Sequence, residues 1–427
     1  MRFARSYLVI TCTLVVLVGL STDISAAGDT LGLPEGSLEG EVHGYAELRA
    51  GCRTRNDPHE KDASVMEARL QLELPASNAW LDVKYKGDVW LDGVTEQVEY
   101  DTRELWFFVR PLDFLDLKIG RQVLSWGTGD LVFLNDLFPK DWRSFFIGRD
   151  DEYLKAPSDA LKLGIFTDVA DVDVVYTPRF DPDRYITGTY VSYWNDRLKR
   201  RAGRDAIVSA VRPERWFADY EVAVRLFKAI RGSEVAAYAY RGFWKTPANR
   251  TGEGAATFPR LNVYGASVRG GIGSGIGNIE FAWYQSVDNE SGCNILARNS
   301  EMRYLVGYAR EIGKDFNGAL QYYVEQLLDY GPYRKTLNGV SGRDEFRHVI
   351  TVQLTKLLMK QNLKLSLSGY YSPSDNDAYI RPNIHYRYSD RISLEAGANI
   401  FVGDHPGTFF SQFRNNTNIY TAVRYSF

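Results

Sequence analysis

The sequence predicts an all-β protein: a transmembrane antiparallel β-barrel of about 18 strands, with 16 as the alternative count. Three observations predict it. Apolar residues recur at every second position through most of the chain. The links between these alternating segments are short and long in turn. After residue 27 no run of 18 apolar residues occurs, so the chain offers no helical span.

The alternation is clear from the first strands. In AWLDVKYKGDVWL, Leu81, Val83, Tyr85, Val89 and Leu91 share one face, and Asp82, Lys84, Lys86 and Asp88 share the other. In the preceding segment Met66, Ala68, Leu70, Leu72 and Leu74 oppose Glu67, Arg69, Gln71 and Glu73. Only PASN separates the two, a turn composition. The same rhythm predicts strands over 38–50, 64–74, 79–90, 98–109, 114–124, 160–167, 171–178, 217–229, 233–243, 261–270, 276–287, 300–310, 315–328, 345–357, 362–372, 377–388, 391–401 and 418–427. Short links follow the even strands: PASN, RPLD, DVAD, RGS, GIGSG, EIGK, KQN and the Ser389-Asp390 turn. Long links follow most odd ones, at 51–63, 125–159, 179–216, 244–260, 288–299, 329–344 and 402–417, with 91–97 and 373–376 shorter. A barrel in lipid turns its apolar face outward and its charged face to the lumen. Two places strain that rule. The segment 98–109 carries charge on both faces near its start, and Arg121 falls on the apolar face of 114–124, which a β-bulge or a position near the rim would resolve.

The amino terminus reads as a secretory leader, residues 1–27. Arg2 and Arg5 precede the apolar run from Tyr7 to Leu20, and Ser25-Ala26-Ala27 supplies small residues for cleavage. Cys12 lies inside the apolar run, not after a small-residue box, which argues against a lipoprotein. Residues 28–427 are expected to form one barrel domain, and 28–37 are too few to fold as a plug ahead of the first strand.

Composition excludes several classes. The chain carries 51 basic and 54 acidic residues, a balance with no nucleic-acid footprint. The 27 Tyr, 22 Phe and 9 Trp suit aromatic girdles at two membrane interfaces, although a soluble β-rich or carbohydrate-binding protein would also use them. His43, His59, His348, His385 and His405 form no ligand-spaced pair and no CxxC occurs, so neither a metal nor another cofactor is expected. Cys52 and Cys293 remain after the leader; an oxidising compartment would permit a disulfide, but the sequence does not bring them together.

Two stretches carry a family resemblance. NIYTAVRYSF, with Ile419, Thr421, Val423, Tyr425 and Phe427 on one face, resembles the closing strand of a bacterial outer-membrane barrel. GRQVLSWG, with the Phe-Pro-containing loop after it, resembles outer-membrane porin families related to alginate-export channels and a porin-like family with a GRQ-V-x-WG pattern. The resemblance implies a bacterial outer-membrane location and passive diffusion of small hydrophilic solutes. It also implies outer-membrane lipids and lipopolysaccharide as neighbours, and by analogy alone a homo-oligomer.

The candidate site follows from the longest loop. Residues 125–159 mix Trp126, Trp142, Phe145 and Phe146 with Arg143, Arg149, Asp150, Asp151, Glu152 and Lys155. Folded into the lumen, such a loop would narrow it and set charges beside aromatic faces; folded outward, its aromatics would pack on neighbouring loops. Strand alternation points Arg69, Lys84, Arg225, Arg303, Arg347, Arg381 and Arg387 into the lumen, and with them Glu47, Glu67, Glu73, Glu221, Glu280, Glu301, Glu325 and Glu395. Opposed charges would set a transverse field or pair up to stiffen the wall. The mixed signs fit a polyanion exporter poorly. A second loop, 179–216, carries Arg197, Lys199, Arg200, Arg201 and Arg204, either to attract anions or as a solvated basic surface. An enzyme is not expected: His385 lies near Asn383 and Ser389 but in the lumen, and Asp150-Asp151 has no His nearby in the sequence. A barrel that sheathes a partner complex is the other alternative.

Overall fold

The computed structural model describes residues 38–427 except 252–254, 295 and 338–341. The expected leader, 1–27, lies outside the described residues. Eighteen antiparallel strands, each hydrogen-bonded to the next in the chain, close into a barrel. They are β1 His43–Arg53, β2 Ala63–Ser77, β3 Leu81–Asp92, β4 Gln97–Leu112, β5 Leu115–Val123, β6 Pro157–Ile165, β7 Asp171–Thr177, β8 Glu221–Ile230 and β9 Ser233–Phe243. They continue as β10 Arg260–Ile272, β11 Gly275–Ser286, β12 Glu301–Gly313, β13 Phe316–Leu327, β14 Phe346–Leu358, β15 Leu363–Ser372, β16 Asp377–Arg387, β17 Ile392–Gly403 and β18 Asn418–Ser426. Closure is made by β18 on β1, with Ser426 opposite Tyr45 and Asn418 opposite Arg53. The pair Glu39–Gly40 adds a short extension against the end of β2. Closure leaves no sheet edge, so the backbone is satisfied within the wall.

The links segregate as their lengths in the sequence require. Turns such as Arg231-Gly232 and Gly273-Ser274 lie at one end, and every long loop lies at the other. The outer face is an apolar band: Leu48, Leu72, Phe107, Ile119, Val268, Leu320 and Val423 are exposed there. Among the described residues no helix is long and apolar enough to cross a membrane; the strands provide the spans.

The two places of strain have separate physical answers. A bulge where β4 pairs with β3, at Lys86/Gly87, inserts one residue, so Arg103 as well as Glu104 is turned from the outer band. Arg121 does face outward, at the loop end of β5, where Asp159 of β6 stands opposite it and takes an ion pair at 3.1 Å. Its Nε–H donates to the Thr102 carbonyl at 2.6 Å, beside the bulge. Cys52 and Cys293 are both free and exposed.

Candidate functional site

The loop between β5 and β6 crosses the lumen and is held to the wall on several sides. Its first part runs against β11. Glu280 accepts from the Thr128 hydroxyl at 2.7 Å, from the Gly129 N–H at 2.8 Å and from Asn135 Nδ2 at 3.0 Å. The Tyr284 hydroxyl donates to the Leu134 carbonyl at 2.5 Å. A carboxylate that gathers backbone N–H groups forms charge-assisted bonds, which contribute more than neutral ones.

The middle of the loop is a one-and-a-half-turn helix, α1 (Trp142–Ile147). Asp141 caps it by accepting from the Ser144 N–H at 2.8 Å and hydroxyl at 2.7 Å. Burial alone would raise the Asp141 carboxyl, but Arg143 and Arg184 beside it hold it below its ordinary value. Gly148 ends the helix at φ +87°, a left-handed conformation that glycine adopts without strain. A side chain there would also meet the Tyr420 ring. Phe145 and Phe146 pack into an aromatic core against β16 and β17. Phe146 lies 5.3 Å from Tyr379, 5.3 Å from Phe401 and 4.9 Å from Phe413, ring centre to ring centre. Each such pair adds about 0.5–1.5 kcal/mol beyond area burial.

The last part of the loop is pinned by ion pairs. Arg149 is buried on Glu67 of β2. Arg49 donates to the Gly148 carbonyl at 2.6 Å, and Arg381 to the Arg149 carbonyl at 3.2 Å and to Asp151. Asp150 takes Arg424 of β18 at 2.9 Å, and Glu152 takes Lys86 of β3 at 3.0 Å. Tyr45 and Tyr153 share a hydroxyl contact at 2.6 Å. The next loop, 178–220, braces this one. Asp183 accepts from the Lys140 N–H at 2.8 Å and Trp142 Nε1 at 2.9 Å, and Arg184 pairs with Asp101 at 2.7 Å. Burial raises the Asp183 carboxyl.

The candidate residues therefore divide. Arg69, Arg149 and Glu67 form one buried cluster, with the Arg69 guanidinium 4.2 Å from the Trp90 ring centre. Arg143 lies over Tyr190 at 5.4 Å, and Lys84 pairs with Glu73 and Glu104 at 2.8 and 2.9 Å. Arg225 pairs with Glu234, Arg303 with Glu301 at 2.7 Å and Arg347 with Asp375 at 2.7 Å. Trp142 is held in the loop itself. Trp126, Asp151 and Arg381 instead border a cavity of about 380 Å³ between the loop and the wall, together with Asp130, Lys155, Arg269, Gln353 and Ser368.

Arg269 of β10 was not among the candidates. It is an exposed guanidinium with no ion pair among the described residues. The LNVYGASVRG pattern hid it, because both faces of β10 look apolar and the inward one, Leu261, Val263, Gly265 and Ser267, carries no earlier charge. Register with Asn278 of β11 settles its face. In the second basic loop, Arg200 pairs with Asp205 at 2.7 Å, Arg201 donates to the Gln412 and Ser411 carbonyls, and Arg204 donates to the Val94 carbonyl at 3.0 Å, so these three hold loops together.

GRQVLSWG now has a structural meaning. Gly120, at φ +124°, sits against the β4 backbone at Leu105 and Trp106. Gln122 is fully buried and donates to the Ala160 carbonyl at 3.0 Å, and Trp126 stacks edge-on to Phe138 at 5.0 Å. The stretch launches the loop inward.

No protein-family model matches the chain, and no curated protein does. Among solved structures it is similar to OccK11 (OpdR) of Pseudomonas aeruginosa, at 10% identity over 93% of this chain and 98% of that one, with a TM-score of 0.53. It is similar also to OccAB3 of Acinetobacter baumannii, at 10% identity over 91% and 99%, TM-score 0.53. OccK5 (OpdH) of Pseudomonas aeruginosa matches at 10% identity over 91% and 98%, TM-score 0.52. At such identity the likeness is one of fold. The chain has the architecture of a closed 18-stranded antiparallel β-barrel.

Proposed function

We propose that the protein is a bacterial outer-membrane channel through which small hydrophilic solutes diffuse passively, with its short turns in the periplasm and its long loops outside. The observation that carries this reading is the loop 125–159. It lies inside a closed barrel, anchored on β2, β3, β11, β16 and β18, and leaves a polar cavity beside it. A constriction of fixed geometry with charged groups of both signs admits small solutes by size and orients them by charge. The leader over 1–27 would deliver the chain to the envelope. GRQVLSWG resembles a stretch of porin families related to alginate-export channels, while the mixture of Asp130, Asp151, Lys155, Arg269 and Arg381 favours small solutes over a long polyanion. Trp126 and the charged cavity residues are the selectivity candidates; Arg69, Arg149, Arg303 and their carboxylates hold the wall and loop.

Planar-bilayer conductance of the refolded mature chain tests the reading, with reversal potentials in a salt gradient and added sugars and organic acids. A stable open conductance, reduced by one solute class, is expected. A folded, heat-modifiable barrel that conducts nothing would overturn the channel reading and leave the partner sheath.

A further inference from the structure

We propose that the rim formed by the turns after β12 and β14 binds the phosphodiester headgroup of an anionic phospholipid in the inner leaflet. The inference rests on the orientation above, with short turns facing the periplasm. A cavity of about 440 Å³ opens there, bordered by Lys314, Asp315, Lys356, Leu358, Met359 and Lys360. None of the three ammonium groups has an ion pair among the described residues. Lys356 is held in place by donating to the Lys314 carbonyl at 2.7 Å. Asp315 is the one carboxylate on the lining; its N–H is tied to Glu311 at 2.9 Å. The site therefore keeps an excess of positive charge.

The turn itself is shaped at a conformational cost. Met359, Lys360 and Gln361 lie in succession at φ 51°, 56° and 70°, a left-handed run that L-residues adopt only where their surroundings impose it. Two other short turns place Gly232 and Gly273 at such angles. Here side chains occupy all three positions, and the run presents Met359 and Lys360 together.

A lipid fits this rim better than a free anion. Lys356 stands opposite Phe316 in the β13–β14 ladder, on the outward face, with its ammonium 5.9 Å from that ring's centre. Leu354 and Leu320 continue the same face toward the middle of the band. Leu358 and Met359 are exposed beside the lysines, 38% and 60%. Ammonium groups at headgroup level above an apolar wall match a phosphodiester with acyl chains.

The test is native mass spectrometry of the full barrel released from mixed micelles of phosphatidylglycerol and phosphatidylcholine, with and without inorganic phosphate. The native chain is expected to retain phosphatidylglycerol preferentially, and millimolar phosphate is expected not to displace it. The Lys314→Gln/Lys356→Gln/Lys360→Gln variant is expected to bind that lipid roughly a hundredfold more weakly. Should the triple variant fail to fold, Lys360→Gln alone is expected to weaken binding about fivefold. Equal retention of the two lipids, native retention by the folded variants, or displacement by phosphate would overturn the site. Conductance read on the same preparation separates the two readings. Lost lipid preference with intact conductance sinks the site alone, and intact preference without conductance sinks the channel alone.

Discussion

The two sides of the lumen-crossing loop are built differently. Toward β1–β3 and β16–β18 it is packed: Arg149 on Glu67, Phe145 and Phe146 against Tyr379 and Phe401. Toward Arg269, Gln353 and Ser368 it leaves a cavity, and the Arg269 guanidinium on its border has no ion pair among the described residues. The residue types alone do not separate the sides, since arginines occur on both. Burial and pairing separate them. A guanidinium spent on a buried carboxylate fixes geometry, and one left facing the cavity is available to a solute.

The largest test of that contrast is Arg149→Ala, which leaves Glu67 buried beside Arg69 alone. Breaking such a pair costs about 3–5 kcal/mol. The gel-shift melting temperature is expected to fall, and single-channel conductance to rise and become noisy as the loop loosens. Gly148→Ala acts on the same packed side, through a left-handed backbone and the Tyr420 ring. A loss of about 1–3 kcal/mol is expected, read by the same melting assay. Glu280→Gln weakens the loop's hold at its other end. It removes the charge from the acceptor of the Gly129 and Asn135 bonds, with an expected loss of about 1–2 kcal/mol and little change in selectivity. Arg269→Gln is the converse case: stability within about 0.5 kcal/mol of native, but a reversal potential shifted toward cations.

The smallest effect is a pH dependence outside the lumen. Burial pushes the Glu60 carboxyl up to about 7, with Asp57 and Asp205 adding to it against Arg53 and Arg204. A carboxyl raised in the fold favours the folded loops while protonated. That contribution is complete below about 4.5, the ordinary value, and is lost as pH rises through 7. The hydrogen-exchange protection factors in 54–62, taken relative to the intrinsic rate at each pH, are expected to be lower at pH 8 than at pH 5, and Glu60→Gln is expected to flatten the difference.

The strand count and loop alternation were legible because a half-buried strand writes period two into its residues; the turn read in PASN falls later, at Asn78–Trp80, because β2 runs on to Ser77 and Pro75, Ala76 and Ser77 pair with Lys84, Val83 and Asp82. The inward face of Arg69, Lys84, Arg303 and Arg381 followed from the same alternation. Pairing did not. Arg69 and Arg303 each meet the carboxylate two residues before them, whereas Arg381 meets Asp151, 230 residues away in the chain. Arg121 kept its register and faces outward at the loop end of β5, where Asp159 of β6 pairs with it. The path of the loop was legible only as two alternatives, because inward and outward packing use the same aromatic residues. Arg269 was lost in a strand whose inward face is otherwise apolar or small.

The central claim is that the loop seals one side of the lumen and leaves the other open, and cysteine accessibility under current tests it most directly. In a Cys52→Ser/Cys293→Ser background, Arg269→Cys and Tyr379→Cys are each exposed to a charged methanethiosulfonate reagent in a planar bilayer. The cysteine at 269 is expected to react within seconds and cut the conductance, while that at 379, which replaces a fully buried ring, stays unmodified. Rapid block at 379, or none at 269 in a conducting barrel, would contradict the division of the lumen.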